Sequence, residues 1–352
     1  MSLDGNMSVV QFKDINLNDI FFDSLKDAYN GFAEWFERKS DQYAYIMANR
    51  SGIQAFLYLK VEHGPVVDIS PPLNTAVCLK VGTFKINAHG TKLGERFIKK
   101  VFDHAIVNNI SHIYVTVFHE HEPLIGLLER YGFCKYGKKI SRSGEEVVLV
   151  KDFNQQSDSP IWNYPVVNRI RTNCWLMSIY PQWHTRLFPD SILRTESSNI
   201  IQDISHTNSI HKVYIGWMNG MEHIKKGDSL LIYRAVGKAG RPWFESVISS
   251  LCVALENRGV GEFSSLADFK SYVAPYSVFS EGELENIYNT RKRGRVIAMS
   301  YNIALPKRLN MKTLVEKVGL NREDYWGFRP ISSDEFEIIF QLSRMPSCAI
   351  IK

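Results

Sequence analysis

Two short stretches hold residues whose types and spacing suit chemistry. In the first, His89-Gly90-Thr91-Lys92-Leu93-Gly94, glycines and polar residues stand between an apolar β run and an amphipathic helix. A strand-to-helix turn leaves backbone N–H groups without partners at the positive end of the helix dipole, where a phosphate can sit. The second stretch, Phe118-His119-Glu120-His121-Glu122-Pro123, follows the next β run. Histidine and glutamate are side chains that move protons near neutral pH. Strand alternation puts His119 and His121 on one face and Glu120 on the other. Histidines at i and i+2 can also chelate a metal, but no third and fourth ligands stand at an obvious spacing, so no metal site is expected. The same residues also suit a solvated loop, with Glu120 and Glu122 favouring the dipole of a helix start.

The elements that must position these residues alternate in type. Val9–Lys13 reads as a short strand, and Asp19–Lys39 carries apolar residues at helical spacing. Tyr43–Ala48 and Ile53–Glu62 are β runs joined around Arg50-Ser51-Gly52, and Thr75–Asn87 is a third strand leading into the glycine turn. Then follow a helix bearing Leu93, Phe97, Val101 and Phe102 on one face, a β run at Ile113–Phe118, a short helix at Pro123–Arg130 and two closing strands. Hairpin-paired strands followed by a β-α-β-α-β passage imply a mixed sheet flanked by helices.

Residues 153–160 are polar, lack apolar periodicity and end in proline, as a linker does. They divide the chain into an expected domain at 8–152 and a second at 161–345. In the second, strand candidates at Trp175–Ile179, Val213–Trp217, Ser229–Ala235, Ser246–Ala254 and Val296–Leu305 alternate with polar or helical insertions. Leu266–Tyr272, Glu281–Tyr288, Met311–Val318 and Ser333–Leu342 read as helices, with Ser332 or Ser333 as the last one's N-cap. The expectation is a small, strongly curved sheet or β-barrel with helical insertions. The fold class is thus a two-domain α/β or α+β protein.

With 352 residues, 45% of them hydrophobic and 22% charged, the chain has the composition of a globular protein large enough for two cores. It offers no apolar run long enough to cross a bilayer and no signal-peptide layout. Cys78, Cys134, Cys174, Cys252 and Cys348 form no CxxC pair and read as reduced thiols, so a cytoplasmic setting is expected. The net charge of +5 permits a polyanionic partner without requiring one.

The order of strand, glycine turn, helix, β run and Leu127-Leu128-Glu129-Arg130-Tyr131-Gly132-Phe133 resembles the GNAT family of acetyl-CoA-dependent N-acetyltransferases over about residues 8–152. The resemblance implies acetyl-CoA as acyl donor, held by Phe84, Lys85, Ile86, His89, Gly90, Thr91, Lys92, Leu93 and Gly94. In the family's Arg/Gln-x-x-Gly-x-Gly/Ala motif, His89 takes the first position, Lys92 the first glycine and Gly94 the second. Leu128 stands where many members have the tyrosine that protonates the departing thiolate, and His121 where asparagine is frequent. The candidates for the acceptor's proton are therefore His119, Glu120 and His121. Tyr131 reads as packing under the Gly132 turn.

The strand-and-turn pattern over about residues 160–345 resembles the PUA-like group, including ASCH and EVE domains, which commonly bind RNA or modified bases. The Gly-x-Lys-x-x-Glu-x-Arg signature of ASCH members is missing. Aromatic residues and cations in one domain suit base stacking with phosphate contact. Trp183, Arg186, Arg194 and the basic run Arg291, Lys292, Arg293 and Arg295 are the nucleic-acid candidates.

Two readings stay open. One is an N-acetyltransferase whose second domain recognises RNA. The other is a catalytically weak, CoA-binding regulatory protein whose C-terminal domain binds nucleic acid. The acyl acceptor, the nucleic acid and the oligomeric state are not identified by the sequence.

Overall fold

The computed structural model describes residues 7–87, 92–170, 172–188, 210–236 and 240–351. The chain divides into two compact units, residues 1–155 and 156–352.

The first unit runs β1 (Met7–Gln11), α1 (Asp23–Ala28), α2 (Phe32–Glu37), β2 (Tyr43–Asn49), β3 (Gly52–His63), β4 (Val77–Ile86), α3 (Leu93–Val107), β5 (His112–Phe118), α4 (Glu122–Arg130), β6 (Cys134–Ser141) and β7 (Gly144–Asp152). Its seven strands form one sheet in the order β1-β2-β3-β4-β5-β7-β6. Only β4 and β5 pair in parallel, across the α3 connection. Alternation explains why both faces are covered. On one face Phe56 and Tyr58 of β3 join Phe12, Phe22, Phe32 and Phe36 in an aromatic core. On the other, Phe84 of β4 stacks on Phe97 of α3 at 6.3 Å.

The single helix expected over Asp19–Lys39 is two helices and a 3₁₀ turn (Ile20–Phe22). Gly31 breaks it, with φ at 79°, a left-handed conformation that costs glycine little. Asp19 fixes the entry, accepting from Phe21 N at 2.9 Å and from Ile53 N of β3 at 3.2 Å.

The second unit runs α5 (Pro160–Asn163), β8 (Val167–Asn168), β9 (Cys174–Ile179), α6 (Pro181–Leu187), β10 (His211–Gly216), β11 (Ser229–Arg234), α7 (Pro242–Glu245), β12 (Val247–Gly259), α8 (Leu266–Val273), α9 (Glu281–Thr290), β13 (Arg295–Asn310), α10 (Met311–Thr313), β14 (Phe328–Ile331), α11 (Ser333–Leu342) and β15 (Ile350–Ile351). Six strands pair in the order β10-β13-β12-β11-β9-β14. One core cluster takes side chains from all six, including Tyr214, Met299, Cys252, Leu230, Met177 and Phe328, so the sheet curls around it. The barrel expected from the sequence does not close among the described residues, because β10 and β14 remain unpaired edges. The outward side chains Val213 and Ile215 are buried as well, under Phe269 of α8 and Leu284 of α9.

Candidate functional site

In the first unit, β4 and β5 hold together over three pairs only, Leu79–Ile113, Lys80–Tyr114 and Val81–Val115. Past Val81 the register against β3 shifts, and Gly82 is the extra residue of a bulge. A Cβ at Gly82 would lie 2.7 Å from Tyr58 Cδ1, so a side chain there would collide with the ring. A bulge ordinarily bends its strand, and beyond this one no pair joins β4 to β5 among the described residues.

The start of α3 adjoins the end of β4. Lys92 is its N-cap and makes no side-chain capping bond, and a helix start carries main-chain N–H groups at the positive end of the helix dipole. Burial lowers the Lys92 amine below its ordinary range, with Glu95 acting in the opposite direction. Leu93 is buried, and Gly94 sits against Leu127 and Ile86. Phe84 and Ile86 thus face α3, whereas Lys85 points to the other face, its ammonium against the Phe21 carbonyl and the Ser24 hydroxyl. His89, Gly90 and Thr91 lie outside the described residues.

His119 and Glu120 are exposed in the turn after β5, and His121, also exposed, is the N-cap of α4 without a side-chain capping bond. Leu128 is buried in α4, so its position supplies packing and no hydroxyl. Tyr131 is fully buried, 6.3 Å from the Phe102 ring.

Sequence reasoning missed Glu146. It shares a face with Val148 and Val150 of β7 and is only 5% exposed. Its Oε1 accepts from Thr116 Oγ1 at 3.1 Å and from the Tyr29 hydroxyl at 3.5 Å. Burial first, then Glu146 and Glu120, raise the Tyr29 phenol above its ordinary range and keep it a donor. The signal was a carboxylate in phase with buried valines, but its partners lie 30 and 117 residues away.

In the second unit a cavity of about 700 Å³ is lined by Tyr180, Trp183, Tyr214, Trp217, Tyr325 and Trp326, among others. Tyr180, Trp217 and Tyr325 are more than half exposed and form the rim. Trp183 packs on Phe279 at 4.8 Å and Trp326 on Tyr233 at 5.4 Å, which holds both indoles in place. Ser178, Glu283 and Asn286 bring polar groups to this aromatic wall. Rigid aromatic faces with a few polar groups suit a planar ligand.

The basic run divides by role. Arg291 lies over Trp217 at 5.1 Å and Lys292 over Tyr288 at 3.1 Å, while Arg293 is exposed. Arg295 is committed within the fold, donating through Nε to Asn257 Oδ1 at 2.8 Å and pairing with Glu262 at 3.1 Å. Arg186 is exposed on α6, and Arg194 lies outside the described residues. His184, between Trp183 and Arg186 in the chain, is buried with Nε2 2.7 Å from Ser249 Oγ. Among the described residues no group of three or more His, Cys, Asp or Glu is placed to hold a metal, and no helix is long and apolar enough to cross a membrane.

No family model matches the chain, and no curated protein matches it. Solved structures similar to parts of it are of two kinds. ASCH from Zymomonas mobilis is 12% identical, over 48% of this chain and 94% of its own, with a TM-score of 0.32. Arabidopsis thaliana NAA60, solved with a bisubstrate analogue, is 12% identical over 42% of this chain and 98% of its own, with a TM-score of 0.32. IAA acetyltransferase from Bacillus cereus is 12% identical over 42% and 98%, with a TM-score of 0.31. ASCH structures and N-acetyltransferases thus each cover about half of the chain.

Proposed function

We propose that the chain is an acyl-CoA-dependent N-acetyltransferase, residues 8–152, joined to a PUA-like, RNA-binding domain, residues 161–345. The observation that carries the first part is the end of β4–β5 pairing beyond Val81 and Val115, beside the start of α3. An acyl-CoA fits there in two respects. The first-turn N–H groups of α3 and the Lys92 ammonium suit its pyrophosphate, and Phe84 and Ile86 give the same face an apolar wall. Acyl-CoA bound there supplies the thioester. This chain's residues hold the phosphates, exclude water and receive the amine's proton.

The RNA part rests on the aromatic cavity and on Arg291 and Lys292 near it, an arrangement that stacks bases and meets phosphates. The cytoplasm, with its acetyl-CoA and RNA, is the setting this reading requires. Burial of Leu128 favours a second reading, in which CoA binding regulates and turnover is weak.

Calorimetry of the full chain with acetyl-CoA tests the first part. One saturable site is expected, lost in Gly94→Glu, which adds bulk and negative charge. No binding to folded wild-type protein overturns it. Binding without thiol release across a panel of amines selects the regulatory reading.

A further inference from the structure

Strand register in the first unit gathers cations on one face of the sheet and leaves one of them over. Lys60 of β3 stands opposite Lys80 of β4, and Lys80 opposite Tyr114 of β5, so the three side chains form a row. Like charges directly opposite each other work against pairing. The carboxylates that Lys80 feels are Glu62 and Asp68, and both are taken. Glu62 pairs with Lys60 at 2.8 Å through Oε1, and its Oε2 accepts from the Tyr114 hydroxyl at 2.6 Å. Asp68, in the loop between β3 and β4, pairs with Lys139 of β6 at 2.6 Å. Glu146, opposite Lys139 on β7, accepts from Thr116 and Tyr29. Lys80 has no hydrogen bond or ion pair among the described residues, and its ammonium stands over the Tyr114 ring at 5.3 Å.

The setting withdraws this ammonium from water without closing it off. Val66, Ile69 and Leu73 of the same loop pack with Tyr114 and Cys78, and Lys80 is half-buried beside them. Burial first, then Lys139, lowers its amine below the ordinary range. A partly desolvated ammonium with no carboxylate of its own recovers free energy when an anion meets it. The row lies on the face of Tyr58, two residues before Lys60, and so on the face opposite α3. Its Lys80–Tyr114 pair is next to Val81–Val115, where the pairing of β4 with β5 ends. The anion would therefore lie one residue from the place assigned to the acyl group, across the sheet from the helix assigned to the cofactor's phosphates.

We propose that Lys80, with Lys60 and Lys139 beside it, binds an anionic oxygen group, a carboxylate or a phosphate, carried by the acyl acceptor. That the group belongs to an acceptor rests on the acyltransferase reading, whereas the anion site itself does not. The acceptor is then an amine that also bears an acid, held by the acid on one face of the sheet while its nitrogen meets the thioester where the strands part company. Lys80 is on this account a binding residue that sets which amines are accepted, and it takes no part in proton transfer.

The test uses full-length protein labelled with ¹³C-lysine, with inorganic phosphate and acetate as probes against chloride at constant ionic strength and pH. The Lys80 Cε resonance, assigned by its loss in Lys80→Met, should shift saturably with phosphate or acetate and not with chloride. The tighter of the two names the acid group. Lys80→Met should weaken that anion's binding, followed at the Lys60 and Lys139 resonances, at least about ten-fold. Its melting temperature should stay at or above wild type, since a cation opposite Lys60 is removed. Lys139→Gln should weaken binding less. No saturable shift at Lys80, or equal shifts with chloride, overturns the proposal. With saturating acetyl-CoA present the Lys80 shift should persist. Its competitive loss would give Lys80 to the cofactor's own phosphates and overturn the acceptor assignment. Acetyl-CoA calorimetry on the same samples separates the two readings. Acetyl-CoA binding without the anion effect sinks the Lys80 site alone, whereas the anion effect without acetyl-CoA binding sinks the acyltransferase reading and leaves the site standing.

Discussion

A Cβ on Gly94 would lie 2.8 Å from Leu127 Cδ2, so the first turn of α3 approaches α4 as closely as a missing side chain allows. The glycine that resembles a phosphate-binding residue is also a packing residue.

That double role gives a double-mutant cycle. Gly→Ala inside a helix ordinarily gains about 0.5–1 kcal/mol. Here Gly94→Ala should gain nothing or lose stability, and Leu127→Ala should lose burial. Combined, they should cost less than their sum by at least about 0.5 kcal/mol. Urea unfolding of the four proteins measures it. Strict additivity would mean that the closeness of the two helices does not constrain position 94.

Gly137 is more demanding. A Cβ there would lie 2.2 Å from the Ser70 carbonyl oxygen, a backbone atom. That oxygen accepts from Lys138 N at 2.9 Å, and Ser70 N donates back at 2.8 Å. Gly137→Ala should therefore destabilise the first unit by about 2–3 kcal/mol. Gly126→Ala is the control. Nothing lies within 4 Å of its added carbon, in the middle of α4, so it should stabilise by up to about 1 kcal/mol.

His184 predicts acid sensitivity of the second unit. Burial, then Arg234 and Arg308, push its imidazole down to about 3. The unfolded chain binds the proton near the ordinary pKa of about 6.5, so between these values the unfolded state holds more protons than the folded one. Stability is therefore full above about pH 6.5 and falls as pH drops toward 3, by at most ~1.4 kcal/mol per pH unit. His184→Gln should flatten that slope in urea titrations at a series of pH values. An unchanged slope would assign the acid sensitivity to other groups.

The basic run should split in binding assays. With single-stranded RNA and the full chain, each cation touching phosphate contributes about 0.7 to the slope of log affinity against log salt. Changing Arg291, Lys292 and Arg293 to glutamine should lower the slope by up to about 2. Arg295→Gln should leave the slope alone and instead lower the melting temperature, because its guanidinium is held by Asn257 and Glu262. A slope change in Arg295→Gln with normal stability would reverse that assignment.

Local signals carried far in this sequence. Ser332 and Ser333 both read as N-caps from their place before an apolar run, and in the structure it is Ser332 that forms a capping box with Glu335. The β candidates of the second unit lie within a few residues of observed strands wherever apolar runs are bounded by turns. What was not legible depends on distant partners. The pattern from Asp19 to Lys39 looked like one helix because spacing does not reveal that Gly31 turns left-handed. Pro330 hides β14, since proline is tolerated in a strand at the edge of a sheet. Arg295 looked like its basic neighbours, and only folding brings Asn257 to it from 38 residues away.

Glu283 lines the aromatic cavity of the second unit and also closes the capping box of α9, with Oε2 accepting from Ser280 N at 2.7 Å and from Ser280 Oγ at 2.9 Å. The carboxylate is therefore shared between a helix start and whatever enters the cavity. The capping box engages only Oε2, so a polar guest can be met by Oε1 while the first turn of α9 stays capped. The helix start thus holds in place a carboxylate that the cavity would otherwise have to order.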